Sequence, residues 1–121
     1  MAVRLYSVLI DSTDPKALGE WWARALDWQV TYVEGDEVDV AAGQDANGKD
    51  LEPILTFLQV PENKAGKNRI HIDLAPDDRD AEVERLLAMG ATRADVGQGD
   101  DVSWVVLADP EGNEFCVLSA R

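Results

Sequence analysis

The chain has 121 residues, 45% apolar and 29% charged, enough for one domain or for two half-size modules that share a core. Eleven basic residues against 24 acidic ones leave a formal net charge of −13, which repels phosphate backbones and anionic lipid and so speaks against nucleic-acid and membrane partners. Cys116 is the single cysteine, so no intrachain disulfide forms. The first residues lack a signal-peptide layout and no apolar run approaches the roughly 20 residues of a membrane span; together these read as a cytoplasmic protein.

In chain order, residues 3–10 are apolar at almost every position and predict a strand covered on both faces, interrupted only by Ser7. Residues 11–15 then read as a turn into a helix, with Asp14 as cap and Pro15 in the first helical position. Ala17, Leu18, Trp21, Trp22, Ala25 and Leu26 recur on one stripe of that helix, and the adjacent tryptophans read as core. Short strands follow at 28–33 and 37–42 around Glu34-Gly-Asp, a hairpin signal. After a polar, glycine-containing loop at 44–50 comes a strand at 54–60, and residues 61–66 link the two halves.

The stretch 67–74 alternates Ile70, Ile72 and Leu74 with Arg69, His71 and Asp73, the period of two of a one-sided strand. His71, the only histidine, takes the polar side. Asp77 and Asp78 can cap a second helix with Val83, Leu86 and Leu87 as its apolar stripe and Gly90 as its stop. Strands at 91–96 and 102–108 flank an acidic, glycine-rich turn at 97–101, and a tight turn at 109–113 leads into a last strand at 114–119.

The order strand, helix, three strands thus occurs twice, an internal repeat. A shift of 64 residues lays Ser7 on His71, Asp14 on Asp78, and Asp45 and Gly48 on Asp109 and Gly112, with strand parity preserved. Ser7 and His71 are expected in equivalent places, both turned from their helices.

Several motifs bear on family: Asp14-Pro-x-Ala-Leu-x-x-Trp-Trp with Ala25-Leu-x-Trp28, Val60-Pro-Glu ahead of the 67–74 strand, and Asp109-Pro-Glu-Gly-Asn-Glu-Phe115. With the repeat, they make the sequence resemble the vicinal oxygen chelate (VOC) superfamily, in particular the glyoxalase / bleomycin resistance protein-like domain. The resemblance implies an α+β fold: paired βαβββ modules at 1–62 and 67–121 in a single domain, a curved mixed sheet around a cavity, and helices at 14–26 and 78–89 outside. It also implies a homodimer and a small-molecule ligand. Metal-binding members hold a divalent metal (Zn, Fe, Mn or Ni) on strand residues lining the cavity. Carried over, that gives His71 and Glu114 as ligands, with Glu114 also the catalytic candidate. Ser7 stands where such members carry His or Gln, and the fourth-strand position falls among Ile54, Leu55 and Thr56. Asp50 or Glu52 would supply a third ligand if their loop folded inward. Two functions follow from the resemblance: a metal-dependent lyase or dioxygenase-type enzyme acting on an oxygen-rich or aromatic molecule, or a metal-free binding or drug-sequestration protein. An interaction module is a third. Ser7, Trp28, Tyr32, Phe57 and Trp104 are candidate cavity walls.

Overall fold

Asp14 and Asp78 start their helices in the same way. In the computed structural model, which describes residues 2–95 and 102–121, Asp14 accepts the Ala17 N–H at 3.2 Å ahead of α1 (Pro15–Leu26). Asp78 accepts the Ala81 N–H at 3.1 Å ahead of α2 (Arg79–Ala88). Each bond satisfies one of the amide groups that a helix start leaves open, and Pro15 has no such group to satisfy. Asp14→Ala is expected to cost about 1 kcal/mol, read as a lower urea midpoint at unchanged m-value.

The strands form two sheets of one topology. β1 (Ser7–Ser12), β2 (Gln29–Glu34), β3 (Glu37–Ala41) and β4 (Ile54–Gln59) take the order β1-β4-β3-β2. β5 (Ile72–Leu74), β6 (Thr92–Arg93), β7 (Val105–Ala108) and β8 (Glu114–Val117) take the order β5-β8-β7-β6. In both, the strand before the helix runs parallel to the last strand of its module, and the other neighbours are antiparallel. The chain divides into two compact units, Met1–Asn63 and Lys64–Arg121, each carrying one sheet and one helix in βαβββ order. This is the α+β repeat expected from the sequence. Among the described residues no helix is long and apolar enough to cross a membrane.

In the first unit α1 lies close on its sheet. A Cβ built at Gly19 would stand 2.7 Å from Val38 Cγ1 and 3.4 Å from Phe57 Cδ2, so the absence of a side chain permits the approach. Leu18, Trp21, Trp22 and Ala25 are buried with them, whereas Ala17 is exposed and does not belong to the stripe.

Most strands are shorter than expected: β7 begins three residues later and β8 ends two residues earlier, and β1, β5 and β6 differ in ways that bear on the sheets. β1 begins at Ser7, leaving Val3, Leu5 and Tyr6 exposed, and Leu9 within it is 58% exposed, so the strand is not covered on both faces. The reason is its place at the sheet edge, where its ladder to β4 starts at Ser7↔Ile54. β5 begins only at Ile72, and Ile70 is 73% exposed, because β8 offers a ladder only from Phe115 onward. β6 contracts to two residues. Val96 and the turn expected at 97–101 lie outside the described residues.

The repeat extends to a turn. Asp45 Oδ1 accepts the Asn47 and Lys49 N–H groups at 2.8 and 3.0 Å, while Asp109 Oδ1 accepts those of Glu111 and Asn113 at 2.9 and 3.0 Å. Gly48 and Gly112 take φ of 78° and 89°, the left-handed region that favours glycine. Those N–H groups hold the Asp45 carboxyl below its ordinary value. In the first unit the turn sits on an arm, residues 42–44 and 50–53, that the second unit lacks. The arm is closed by a Gln44↔Asp50 bridge and a Leu51 N–H to Gly43 O bond of 2.9 Å.

Candidate functional site

Alternation along the strands assigns each sheet two faces. In the first unit Val38 and Phe57 pair across β3 and β4 and both lie against Gly19, so their face is the one under α1. Residues of the other parity face away: Ser7 and Leu9 on β1, Ile54 and Thr56 on β4, Asp39 on β3 and, paired with Asp39, Tyr32 on β2. Ser7 thus turns from the helix.

In the second unit Asp73 pairs with Cys116, and the two side chains meet: burial first, then the Asp73 charge and hydrogen bond, push the Cys116 thiol above its ordinary value. A buried thiol so raised is a poor nucleophile. Two residues back, His71 immediately precedes β5 and Glu114 opens β8, at the same parity.

Glu114 is nevertheless committed elsewhere. Its carboxylate meets Lys64 Nζ at 3.1 Å, and Oε2 accepts the Asn68 N–H at 3.2 Å. Turned to satisfy both of its ends, the Asn68 amide donates to Oε2 at 3.1 Å and accepts the Glu114 N–H at 3.3 Å. Burial pushes the Glu114 carboxyl up, but its own backbone N–H, Lys64 and the Asn68 N–H outweigh that, and the net result lies below the ordinary value. No hydrogen bond runs from Glu114 to His71, which is half-buried. The cation of this clamp is Lys64, the first residue of the second unit.

The strand register also fixes the fourth-strand position. Ile72↔Phe115 carried back one step sets His71 beside Glu114, and Ser7↔Ile54 is the equivalent pair in the first unit. Ile54 is buried and apolar. Asp50 is held by Thr31 at 2.8 Å and Gln44 at 3.0 Å, and Glu52 by Arg4 at 2.6 Å, so neither is a free third ligand. A divalent metal of this kind takes at least three protein ligands. One imidazole and one lysine-paired carboxylate do not fit it, and among the described residues no three His, Cys, Asp or Glu side chains are grouped to hold a metal ion.

Of the aromatic wall candidates, Phe57 is corrected: it is fully buried on the α1 side of β4 and belongs to the core. Trp28 is half-buried just after α1, and Trp104 is exposed just before β7. Tyr32 is exposed, its hydroxyl donating to Glu34 at 3.3 Å. Sequence reasoning missed Asp39, buried between Val38 and Val40. The alternation of 37–41 carried its parity but not its burial.

Paired βαβββ units with sheet order 1-4-3-2 define the class as an α+β protein of the vicinal oxygen chelate fold. The chain matches the glyoxalase-like domain family over residues 7–118 and belongs to that family. Solved structures share its fold. One is a glyoxalase/bleomycin resistance protein/dioxygenase family enzyme from Burkholderia phytofirmans PsJN, at 18% identity over 95% of this chain and 97% of that one, with a TM-score of 0.70. Another is the fosfomycin resistance protein FosX from Mesorhizobium loti, at 16% identity over 100% and 94%, with a TM-score of 0.69. A third is the trypanothione-dependent glyoxalase I of Leishmania major, at 14% identity over 98% and 87%, with a TM-score of 0.68. At such identities the likeness establishes fold, and activity is a separate question. No curated protein matches the chain significantly.

Proposed function

We propose that this chain is a metal-independent small-molecule-binding protein of the glyoxalase-like family. In this reading the two units pair into one domain whose sheets curve around a shared cavity, helices outside, with Ser7 and His71 facing the ligand. One observation carries it: the Glu114 carboxylate is bonded to Lys64 and Asn68, while Ile54 and Ser7 hold the matching positions of the first unit. That donor set falls short of a metal centre. The ligand is a small oxygen-rich or aromatic compound, and the acidic surface favours cationic members of that class.

Total-metal analysis of untagged protein, paired with thermal unfolding before and after EDTA, tests this. Substoichiometric zinc, iron, manganese and nickel and an unchanged Tm are expected. Stoichiometric metal whose removal lowers Tm overturns the reading and favours a metal-dependent lyase or dioxygenase centred on His71 and Glu114.

A further inference from the structure

Of the four asparagines, Asn47 alone precedes a glycine. That order matters chemically. Glycine has no Cβ to crowd its own backbone nitrogen, so the nitrogen can reach the side-chain carbon of the residue before it. Asn63, Asn68 and Asn113 precede Lys64, Arg69 and Glu114, whose side chains obstruct the same approach.

The turn exposes one half of the pair and tethers the other. Asn47 is exposed, and its side-chain amide has no hydrogen-bond partner among the described residues. Gly48 is exposed too, and a Cβ built there meets nothing within 4 Å, so a ring has room to close. The Gly48 N–H, by contrast, donates to Asp45 O at 3.0 Å, and the N–H groups on either side, those of Asn47 and Lys49, are fixed on Asp45 Oδ1 at 2.8 and 3.0 Å. Reaction therefore waits on the opening of these bonds. The turn lies outside both sheets, so it opens without unfolding either of them. The second unit repeats the turn but carries Glu111 where the first has Asn47, so the same bonds surround a carboxylate, a poor electrophile.

We propose that Asn47 is a self-modification site, its side-chain amide lost by cyclisation onto the Gly48 nitrogen at a rate set by opening of the Asp45 turn. The Gly48 nitrogen bonds to Asn47 Cγ and passes its proton through solvent to Nδ2. The Cγ–Nδ2 bond breaks and ammonia leaves. Water then opens the five-membered imide at either carbonyl, giving aspartate, or isoaspartate with the main chain routed through Cβ. No electrons change hands, and water is the only co-reactant. Either product adds a carboxylate beside Asp45, and isoaspartate lengthens by a methylene a loop closed by the bond of 2.8 Å from the Asp45 N–H to Lys49 O. The modification loosens the turn of the arm that only the first unit carries, and it is independent of what either sheet binds.

The test incubates the full chain at mildly alkaline pH, folded and in guanidinium chloride, and maps its peptides by mass spectrometry with an isoaspartate-specific methyltransferase assay. Isoaspartate at Asn47, and none at Asn63, Asn68 or Asn113, is expected in the folded protein, forming more slowly than in denaturant by about tenfold or more, since several hydrogen bonds must open together. Asp45→Ala should raise the folded rate about three- to tenfold, the range for one net hydrogen bond, and leave the rate in denaturant unchanged. Asp45→Asn keeps an oxygen acceptor and should stay near the parent. Tryptophan fluorescence, through buried Trp21 and Trp22, should match the parent in both variants, so that faster modification is not lost folding. The comparison of folded and denatured parent stands without any variant. No isoaspartate at Asn47 in the folded protein, equal rates folded and denatured, an unchanged folded rate in Asp45→Ala, or equal acceleration in Asp45→Asn each overturns the proposal.

Discussion

Gly19→Leu should abolish stable folding of the first unit, and Gly19→Ala should weaken it. A single Cβ at this position already comes within 2.7 Å of Val38 Cγ1 and 3.4 Å of Phe57 Cδ2. Val38 is β-branched and stiff at χ1, and both it and Phe57 are buried, so neither has room to yield. For alanine, about 1 kcal/mol of helix propensity is gained, against an overpacking cost of about 1–3 kcal/mol. Leucine adds three more carbons. It forces α1 off β3 and β4 and exposes Leu18, Trp21 and Trp22, a loss of several kcal/mol set against a typical total of about 5–15 kcal/mol. Urea unfolding followed by tryptophan fluorescence reads this, since Trp21 and Trp22 are buried in the same helix. A Gly19→Ala protein more stable than the parent would show that the helix does not approach the sheet so closely.

The same glycine shows how far the sequence alone reaches. Asp14, Pro15 and the stripe from Leu18 to Ala25 announce α1, because capping and helical periodicity are local. How near the helix lies to the sheet is not local, and Gly19 reads there only as a weak helix former. The strand at 67–74 fails for a related reason. Alternation records which side chains prefer water, whereas a ladder needs a partner strand, and β8 is only Glu114–Val117. The repeat was legible in the alignment of Asp45 with Asp109 and Gly48 with Gly112, and the structure adds that the two aspartates make the same side-chain bonds. Its register at β4 was not, because the arm at 42–44 and 50–53 displaces Ile54 from the place that a uniform shift assigns. Glu114 and His71 were visible as residue types. Lys64, which pairs with Glu114 across 50 positions of sequence, could be found only from the fold.

That ion pair sets the last expected result: Glu114→Gln should destabilise the second unit by about 1.5–3 kcal/mol near pH 7. The Glu114 side chain is 12% exposed and its oxygens take Lys64 and the Asn68 N–H, so the amide loses the charge that both bonds use. His71→Ala, with no bond to Glu114 to lose, should cost less than Glu114→Gln. Acid supplies the second check. The folded-state carboxyl lies below its ordinary value of 4.5, so the contribution is fully present above that value and is lost as pH falls through the folded-state value. Parent and Glu114→Gln stabilities should therefore differ at neutral pH and converge in acid, measured by urea midpoints across the range. A gap that persists unchanged into acid would mean that the charge on Glu114 is not what holds residues 64–68. If His71→Ala instead lost more stability than Glu114→Gln, the clamp would belong to the histidine, and the assignment of Glu114 to Lys64 rather than to a ligand would fail with it.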